Sequence, residues 1–131
     1  MQHLRVYEEA NKAIQEHRWI ESKKAGRDLG VDAEQDWIEH SWRTFCRSRF
    51  VQHLRGEVFF DEFDAECFGI SSGRFEDLAG LLNVVLERIK EGAENLDLLR
   101  WACQEHVPHN RLLEVLTAVN INGHRLFPPL M

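Results

Sequence analysis

The sequence lacks any long apolar run, and no stretch approaches the roughly 20 residues that a membrane-spanning helix needs. Its N-terminus, MQHLRVYEEANK, also lacks the charged and then apolar pattern of a signal peptide. Cysteine is scarce: Cys46, Cys67 and Cys103 are odd in number and widely spaced, so they indicate neither a disulfide framework nor a CxxC pair. These absences predict a cytoplasmic protein without a membrane partner.

Proline is also scarce. Only three prolines occur, two of them at the extreme C-terminus, so the body of the chain is free to form helices. The motifs of catalysis are missing as well, because the sequence has no glycine-rich phosphate loop, nucleophile elbow or HExxH segment. The sequence therefore favours a non-enzymatic function, with no catalytic residue and no bound cofactor.

What is present is the composition of an ordinary globular domain. The 131 residues suffice for one domain with one core, and 44% of them are hydrophobic. The formal net charge of −6 argues against general binding to nucleic acids or anionic membranes, because both need a surplus of Lys and Arg. We expect a single domain over residues 1–131.

Helical periodicity dominates the first half of the chain. Residues 3–29 carry apolar side chains at three- and four-residue spacing, and Gly30 is expected to end this helix. Asp32 and Gln35 resemble a capping box that opens a second helix over residues 33–55. Because the connection is so short, the two helices are predicted to form an antiparallel hairpin.

The hairpin also predicts which side chains meet. Counting back from the turn places His17 opposite Phe45 or Cys46. A buried polar network is expected to fix this register. Its members are His17, Glu21, Asp28 and Arg49.

The second half of the chain is predicted to contain a connector, three helices and a tail. The connector, residues 56–73, is compatible with a short strand, a short helix or an aromatic-rich loop, and a loop with one helical turn is favoured. The helices are expected at residues 74–91, 95–106 and 108–120, with Asn95 as a cap and Pro108 in a first turn, and residues 121–131 as an extended strip. This pattern predicts an all-α fold, a compact bundle or orthogonal array of four to five helices.

The segment HRWIESKKAGRDLG, from His17 to Gly30, resembles one found in short, uncharacterised bacterial helical proteins, in which HKWIESEKAG is typical. In this chain Arg18 replaces the usual Lys, and Lys23 replaces the usual Glu. The second replacement reverses a charge, so a role of that carboxylate does not carry over. The resemblance implies a bacterial origin and a helical fold, and it implies no known activity.

The same segment is the predicted site of interaction with another protein. Trp19 lies on the helix face opposite the apolar stripe, and an exposed aromatic beside Arg18 is typical of an interaction hot spot. Gly26 costs about 1 kcal/mol relative to Ala inside a helix, so either close packing or an approaching partner is expected there. The partner-binding residues are predicted to be Arg18, Trp19, Lys24, Gly26 and Arg27. A domain of this size that exposes apolar surface is also a candidate homodimer.

A metal site is the alternative interpretation of this helix. Glu16, His17 and Glu21 are the candidate ligands of a transition metal ion in a bundle with redox or hydrolytic activity. Their spacing, however, departs from the Glu-x-x-His pattern of di-metal carboxylate bundles. Cys103 and His106 form a second, weaker pair of metal-ligating residue types.

A third interpretation rests on the second helix, where arginines alternate with aromatic residues. This pattern is typical of proteins that bind single-stranded nucleic acid. The arginines are Arg43, Arg47, Arg49 and Arg55. The acidic residues from Glu57 to Glu66 follow directly, so pairing within the chain is expected to neutralise the arginines.

Overall fold

Five α-helices make up most of the chain in the computed structural model, which describes residues 2–73 and 75–129. Their bounds are Val6–Ala25 (α1), Val31–Leu54 (α2), Ala79–Lys90 (α3), Asn95–Gln104 (α4) and His109–Val119 (α5). Short 3₁₀ turns cover Ala65–Cys67, Ile70–Ser72, Glu76–Leu78 and Ile121–His124. The predicted all-α fold that begins with a helical hairpin is confirmed.

Two short strands join the N-terminus to the connector after α2. Strand β1 spans Gln2–Leu4, strand β2 spans Val58–Phe60, and they pair in parallel with His3 opposite Phe59. The predicted helix start at His3 is therefore wrong, and the connector holds more than a loop with one helical turn. The Val-Phe-Phe sequence of β2 suits a strand because β-branched and aromatic side chains pack well on a pleated surface.

The acidic connector fixes the start of α1. Glu62 accepts hydrogen bonds from the backbone N–H groups of Val6 at 2.8 Å and Tyr7 at 3.1 Å. A carboxylate suits this position because the first N–H groups of a helix have no partner within the helix and carry partial positive charge. The acidic run after α2 thus stabilises a helix end that lies far away in sequence.

The turn between α1 and α2 differs from the prediction. Helix α1 ends at Ala25 because Gly26 adopts the left-handed conformation, with φ 71° and ψ 15°. Gly30 is instead the N-cap residue of α2, and no side chain caps that helix, so Asp32 and Gln35 do not form the predicted box. The predicted end at Gly30 is therefore wrong, because the left-handed Gly26 ends the helix four residues earlier.

The earlier stop changes the register of the hairpin. His17 does not face Phe45 or Cys46, because its Nε2 atom lies 2.9 Å from Oδ2 of Asp36. The predicted network does not form either. Its members bind elsewhere: Asp28 binds Arg18, Glu21 binds Lys24, and Arg49 lies over the Phe45 ring.

The later helices follow the prediction more closely. Helix α5 succeeds Pro108 and stops at Asn120, as expected. Helix α4 is capped by Glu94 rather than Asn95, in a capping box with Asp97. Helix α3 begins at Ala79, after a 3₁₀ turn, so its predicted start at residue 74 is wrong. The tail folds as a 3₁₀ turn over Ile121–His124 and continues without regular secondary structure to residue 129, while residues 130–131 of the predicted strip lie outside the described residues.

The buried apolar side chains form one cluster to which every one of these helices contributes. Fully buried representatives are Val6, Leu82, Leu98 and Val115, with Phe50 nearly so. None of the described helices combines the length and the apolar character that a bilayer crossing requires. The core packs against the first half of α1 and leaves the C-terminal end of this helix facing solvent.

Candidate protein-interaction site

The C-terminal end of α1 is closed by a tight backbone arrangement. The N–H of Gly26 donates to Lys23 O at 3.3 Å, and the N–H of Arg27 donates to Ser22 O at 3.2 Å. These are the two bonds of a Schellman motif, in which a left-handed residue follows the helix. Gly26 therefore follows the helix, and its predicted position inside the helix is wrong. Apart from its chain neighbours, no described atom lies within 4 Å of the position its Cβ would take. Its positive φ, rather than close packing, explains the glycine.

Arg18 ties the turn after α1 to the helix itself. Its Nε and Nη2 atoms donate to the two carboxylate oxygens of Asp28 at 3.0 and 2.7 Å, and Nη1 lies 3.4 Å from Glu34 Oε1. Asp28 also accepts the N–H of Gly30 at 3.0 Å. The Arg18 guanidinium and this N–H lower the pKa of Asp28 to about 2, while Asp28 raises the pKa of Arg18. The turn is thus held in one conformation.

Trp19 lies beside this turn with 61% of its surface exposed. The ammonium of Lys23, one helical turn later, is 4.7 Å from the centroid of the indole ring, which is a cation–π contact. A cleft of about 620 Å³ opens next to the indole. Its walls include Arg18, Trp19, Ser22, Lys23, Gly26 and Arg27.

Four predicted partner-binding residues meet at this cleft: Arg18, Trp19, Gly26 and Arg27. The fifth, Lys24, does not line it, and its Nζ atom lies 3.4 Å from Glu21 Oε1. Four further residues line the cleft that were not predicted as partner-binding residues: Gln15, Ser22, Lys23 and Asp28. Gln15 and Lys23 lie four residues before and after Trp19, so helical spacing alone could have found them. Asp28 could not be found in this way, because it reaches the cleft only through the fold of the turn after α1.

The candidate metal ligands of α1 do not converge. His17 binds Asp36 on α2 at 2.9 Å, whereas Glu21 pairs with Lys24 at 3.4 Å, and Glu16 is exposed. Across residues 2–73 and 75–129, no group of three or more His, Cys, Asp or Glu side chains is placed to hold a metal ion. The transition-metal alternative thus remains a hypothesis from the sequence alone.

The arginines of α2 pair within the chain, but not with the acidic run that follows the helix. Arg55 binds Glu87 of α3 at 2.6 Å, and Arg47 binds Glu94 at 2.6 Å. Arg43 binds the same carboxylate, and the Arg49 guanidinium carbon lies 4.5 Å from the Phe45 ring centroid. The acidic residues from Glu57 to Glu66, which were expected to pair with these arginines, instead make contacts at the N-terminus of α1 and around the connector.

Comparison of the chain with protein-family models, with curated proteins and with solved structures finds no match. The likeness of residues 17–30 to short bacterial helical proteins stays a prediction. The interpretation of the cleft therefore rests on its geometry and charge.

Proposed function

We propose that this protein is a non-enzymatic interaction protein whose Trp19 cleft binds an acidic segment of another protein. The observation that carries the proposal is the 61% exposure of Trp19 on a helix whose other face is packed in the core. A tryptophan contributes a large apolar area when a partner covers it, and tryptophan and arginine are enriched among interaction hot spots. The cleft supplies both residue types next to each other.

The charge of the cleft favours an acidic partner. Its lining residues include three cations, Arg18, Lys23 and Arg27, and one anion, Asp28. The Arg18 guanidinium is engaged by Asp28, so Lys23 and Arg27 supply the excess positive charge. Opposite charge on the partner would steer its approach and fix its orientation, while an apolar side chain would cover the indole.

The rigidity of the turn supports the same function. Arg18, Ser22 and the Schellman motif hold residues 26–30 against α1 before any partner arrives. A surface that is already ordered loses little conformational entropy on binding, which leaves more of the contact energy for affinity. We also propose that the interaction takes place in the cytoplasm, which the free thiols of Cys46, Cys67 and Cys103 support.

The test is selection from a displayed library of short random peptides, using the wild-type chain as bait. Selected peptides should combine Asp or Glu with one large apolar residue, and Trp19→Ala should lose them. Replacing both Lys23 and Arg27 by Glu should reverse the preference towards basic peptides. Leu96→Ala is the control, because Leu96 is 57% exposed but lies on α4, away from the cleft.

Two results would overturn the proposal. Peptides selected without an acidic bias, or bound equally by Trp19→Ala, would show that the cleft is not the binding surface. Binding of a second copy of the chain at the cleft would form a homodimer, which sedimentation equilibrium would detect. A dimer that Trp19→Ala dissociates would replace the acidic partner by the chain itself.

A further inference from the structure

A second cavity lies between α2 and the C-terminal tail. Two hydrogen bonds hold the backbone of the tail against the helical body: Trp42 Nε1 donates to Leu126 O at 3.2 Å, and Tyr7 Oη donates to Phe127 O at 2.7 Å. Between these elements remains a space of about 490 Å³. This volume is within the range of sites that take small organic molecules.

One end of the cavity carries an excess of positive charge. Arg43, Arg47 and Arg125 line the cavity, and all three bind the single carboxylate of Glu94. Glu94 Oε1 is shared by Arg43 and Arg47, while Oε2 faces Arg125. Three cations thus meet one anion, and none of the described lining residues is Asp or Glu.

The three arginines differ in their freedom to bind a further anion. Arg47 is buried, with 6% of its surface exposed, and its Nη1 atom donates to Ala93 O at 2.8 Å. The side chains of Arg43 and Arg125 are 62% and 52% exposed. Arg43 also donates to Gly92 O at 3.0 Å, and Arg125 to Asn122 Oδ1 at 3.1 Å. Arg47 therefore stays with Glu94, whereas Arg43 and Arg125 are open to solvent and each has five N–H donors.

The rest of the cavity is apolar. Trp42, Phe50, Ile121 and Leu126 supply the walls. The thiol of Cys46 also lines it, and burial and the charge of Glu62 raise the pKa of this thiol to about 12, so the wall stays neutral near pH 7. His124, also in the wall, is buried, and its Nε2 atom lies 3.3 Å from Asp64 Oδ2.

We propose that this cavity binds a small organic anion, with one carboxylate on Arg43 and Arg125 and a flat apolar body against Trp42 and Leu126. The site is separate from the Trp19 cleft, and it stands whether or not the cleft binds a protein. The charged end selects the head group because hydrogen bonds between a guanidinium and a carboxylate are charge-assisted and bidentate. The apolar walls select the body, which leaves water on binding.

The test compares naphthoate with naphthalene methanol, which has the same ring system but no charge. Titration calorimetry on the wild-type chain should show naphthoate binding at least about tenfold more tightly, the ratio expected for one charge-assisted contact. In the NMR spectrum, the indole N–H of Trp42 should shift on addition of naphthoate, while that of Trp19 should not.

Variants separate the charge from the fold. Arg43→Gln and Arg125→Gln should each weaken naphthoate binding about tenfold, and Arg43→Lys, which keeps the charge but not the bidentate donors, should weaken it less than Arg43→Gln. Arg111→Gln is the matched control, because Arg111 pairs with Asp77 and Glu114, outside the cavity. Glu94→Gln should strengthen binding, since it removes the carboxylate that competes for the arginines while keeping an acceptor for Arg47.

Several outcomes would overturn the proposal. Equal affinity for naphthoate and naphthalene methanol would show an apolar gap without an anion site. Weaker binding in Glu94→Gln, or the same loss in Arg111→Gln as in Arg43→Gln, would remove the role of the arginines. No binding of naphthoate at millimolar concentration by the wild-type chain would remove the site.

Discussion

The guanidinium of Arg47 lies 2.6 Å from the carboxylate of Glu94, which joins the middle of α2 to the start of α4. Arg47 is buried, and Glu94 is also the N-cap of α4, so one carboxylate both neutralises a buried cation and stabilises a helix end. Burial lowers the pKa of Arg47, and the Glu94 charge opposes that shift. Glu94 is therefore the residue on which this junction depends.

Removing the Glu94 carboxylate should destabilise the fold strongly. Glu94→Ala leaves Arg47 without its anion and α4 without its cap, and we expect a loss of about 3 kcal/mol in the free energy of unfolding. Glu94→Gln keeps an oxygen acceptor for both contacts and should cost about 1 kcal/mol. Urea denaturation measures both. A loss below about 1 kcal/mol for Glu94→Ala would show that Arg47 finds another partner.

The left-handed conformation of Gly26, which ends α1, predicts the direction in which a substitution changes the free energy of unfolding. Gly26→Ala should destabilise the protein by about 1 kcal/mol, because φ is +71° and an L side chain is strained there. Gly80→Ala is the matched control, since Gly80 is exposed within α3, has no atom within 4 Å of a Cβ and no positive φ. Alanine there should stabilise by about 0.5–1 kcal/mol. Thermal unfolding of both variants checks the opposite signs.

Local pattern predicted the helices, and it failed where distant residues decide. Helix α5 matched its prediction because Pro108 and Asn120 mark its ends directly in the sequence. Strand β1 could not be predicted, since its partner β2 is more than fifty residues away and only the pairing makes it a strand. Similarly, the sequence predicts the end of α1 at Gly30 and places Gly26 inside the helix, whereas Gly26 adopts the left-handed conformation and ends it.

The candidate site also has parts that local pattern predicts and parts that only tertiary packing determines. The solvent-facing position of Trp19 follows from helical spacing, so the sequence predicted it. The part that Asp28 plays could not be predicted, because it depends on how the turn after Gly26 folds back to Arg18. The cavity over Arg47 was equally hidden, since Glu94 and Arg125 reach it only through tertiary packing.

Trp19 should matter for binding and not for stability. Its surface is 61% exposed, so Trp19→Ala should change the free energy of unfolding by no more than about 0.5 kcal/mol. Trp37→Ala is the contrasting variant, because Trp37 is only 8% exposed and packs in the core. That substitution should cost about 3–5 kcal/mol. If Trp19→Ala unfolds the chain instead, Trp19 is a structural residue and the interaction proposal fails.

The imidazole of His53 should make stability depend on pH. It is fully buried, its Nδ1 accepts the N–H of Phe60 at 3.1 Å, and its Nε2–H donates to Asp64 O at 2.8 Å. Burial lowers its pKa from the usual 6.5. The unfolded chain therefore takes up a proton first, and stability should fall as pH drops below 6.5 and level off below the folded pKa.

Urea denaturation at a series of pH values measures this dependence for the wild type and for His53→Gln. The variant should lose the part of the slope that comes from His53. NMR supplies a second readout, because the His53 ring resonances of the folded chain should titrate at a pH below 6.5. A His53 signal that titrates at its usual value would contradict the buried, neutral imidazole.

Asp28 should stabilise the turn over a defined range of pH. Its pKa is lowered from 3.8 to about 2 by Arg18 and the Gly30 N–H, so the folded state holds the carboxylate ionised where the unfolded state would protonate it. The contribution is therefore present above 3.8 and is lost as pH falls towards 2. Asp28→Asn should be less stable than the wild type at neutral pH, and the difference should shrink steadily below 3.8. In Arg18→Gln, carbon NMR of the Asp28 carboxyl should show its pKa moving back up towards 3.8, whereas an unchanged pKa would mean that the turn holds Asp28 without Arg18.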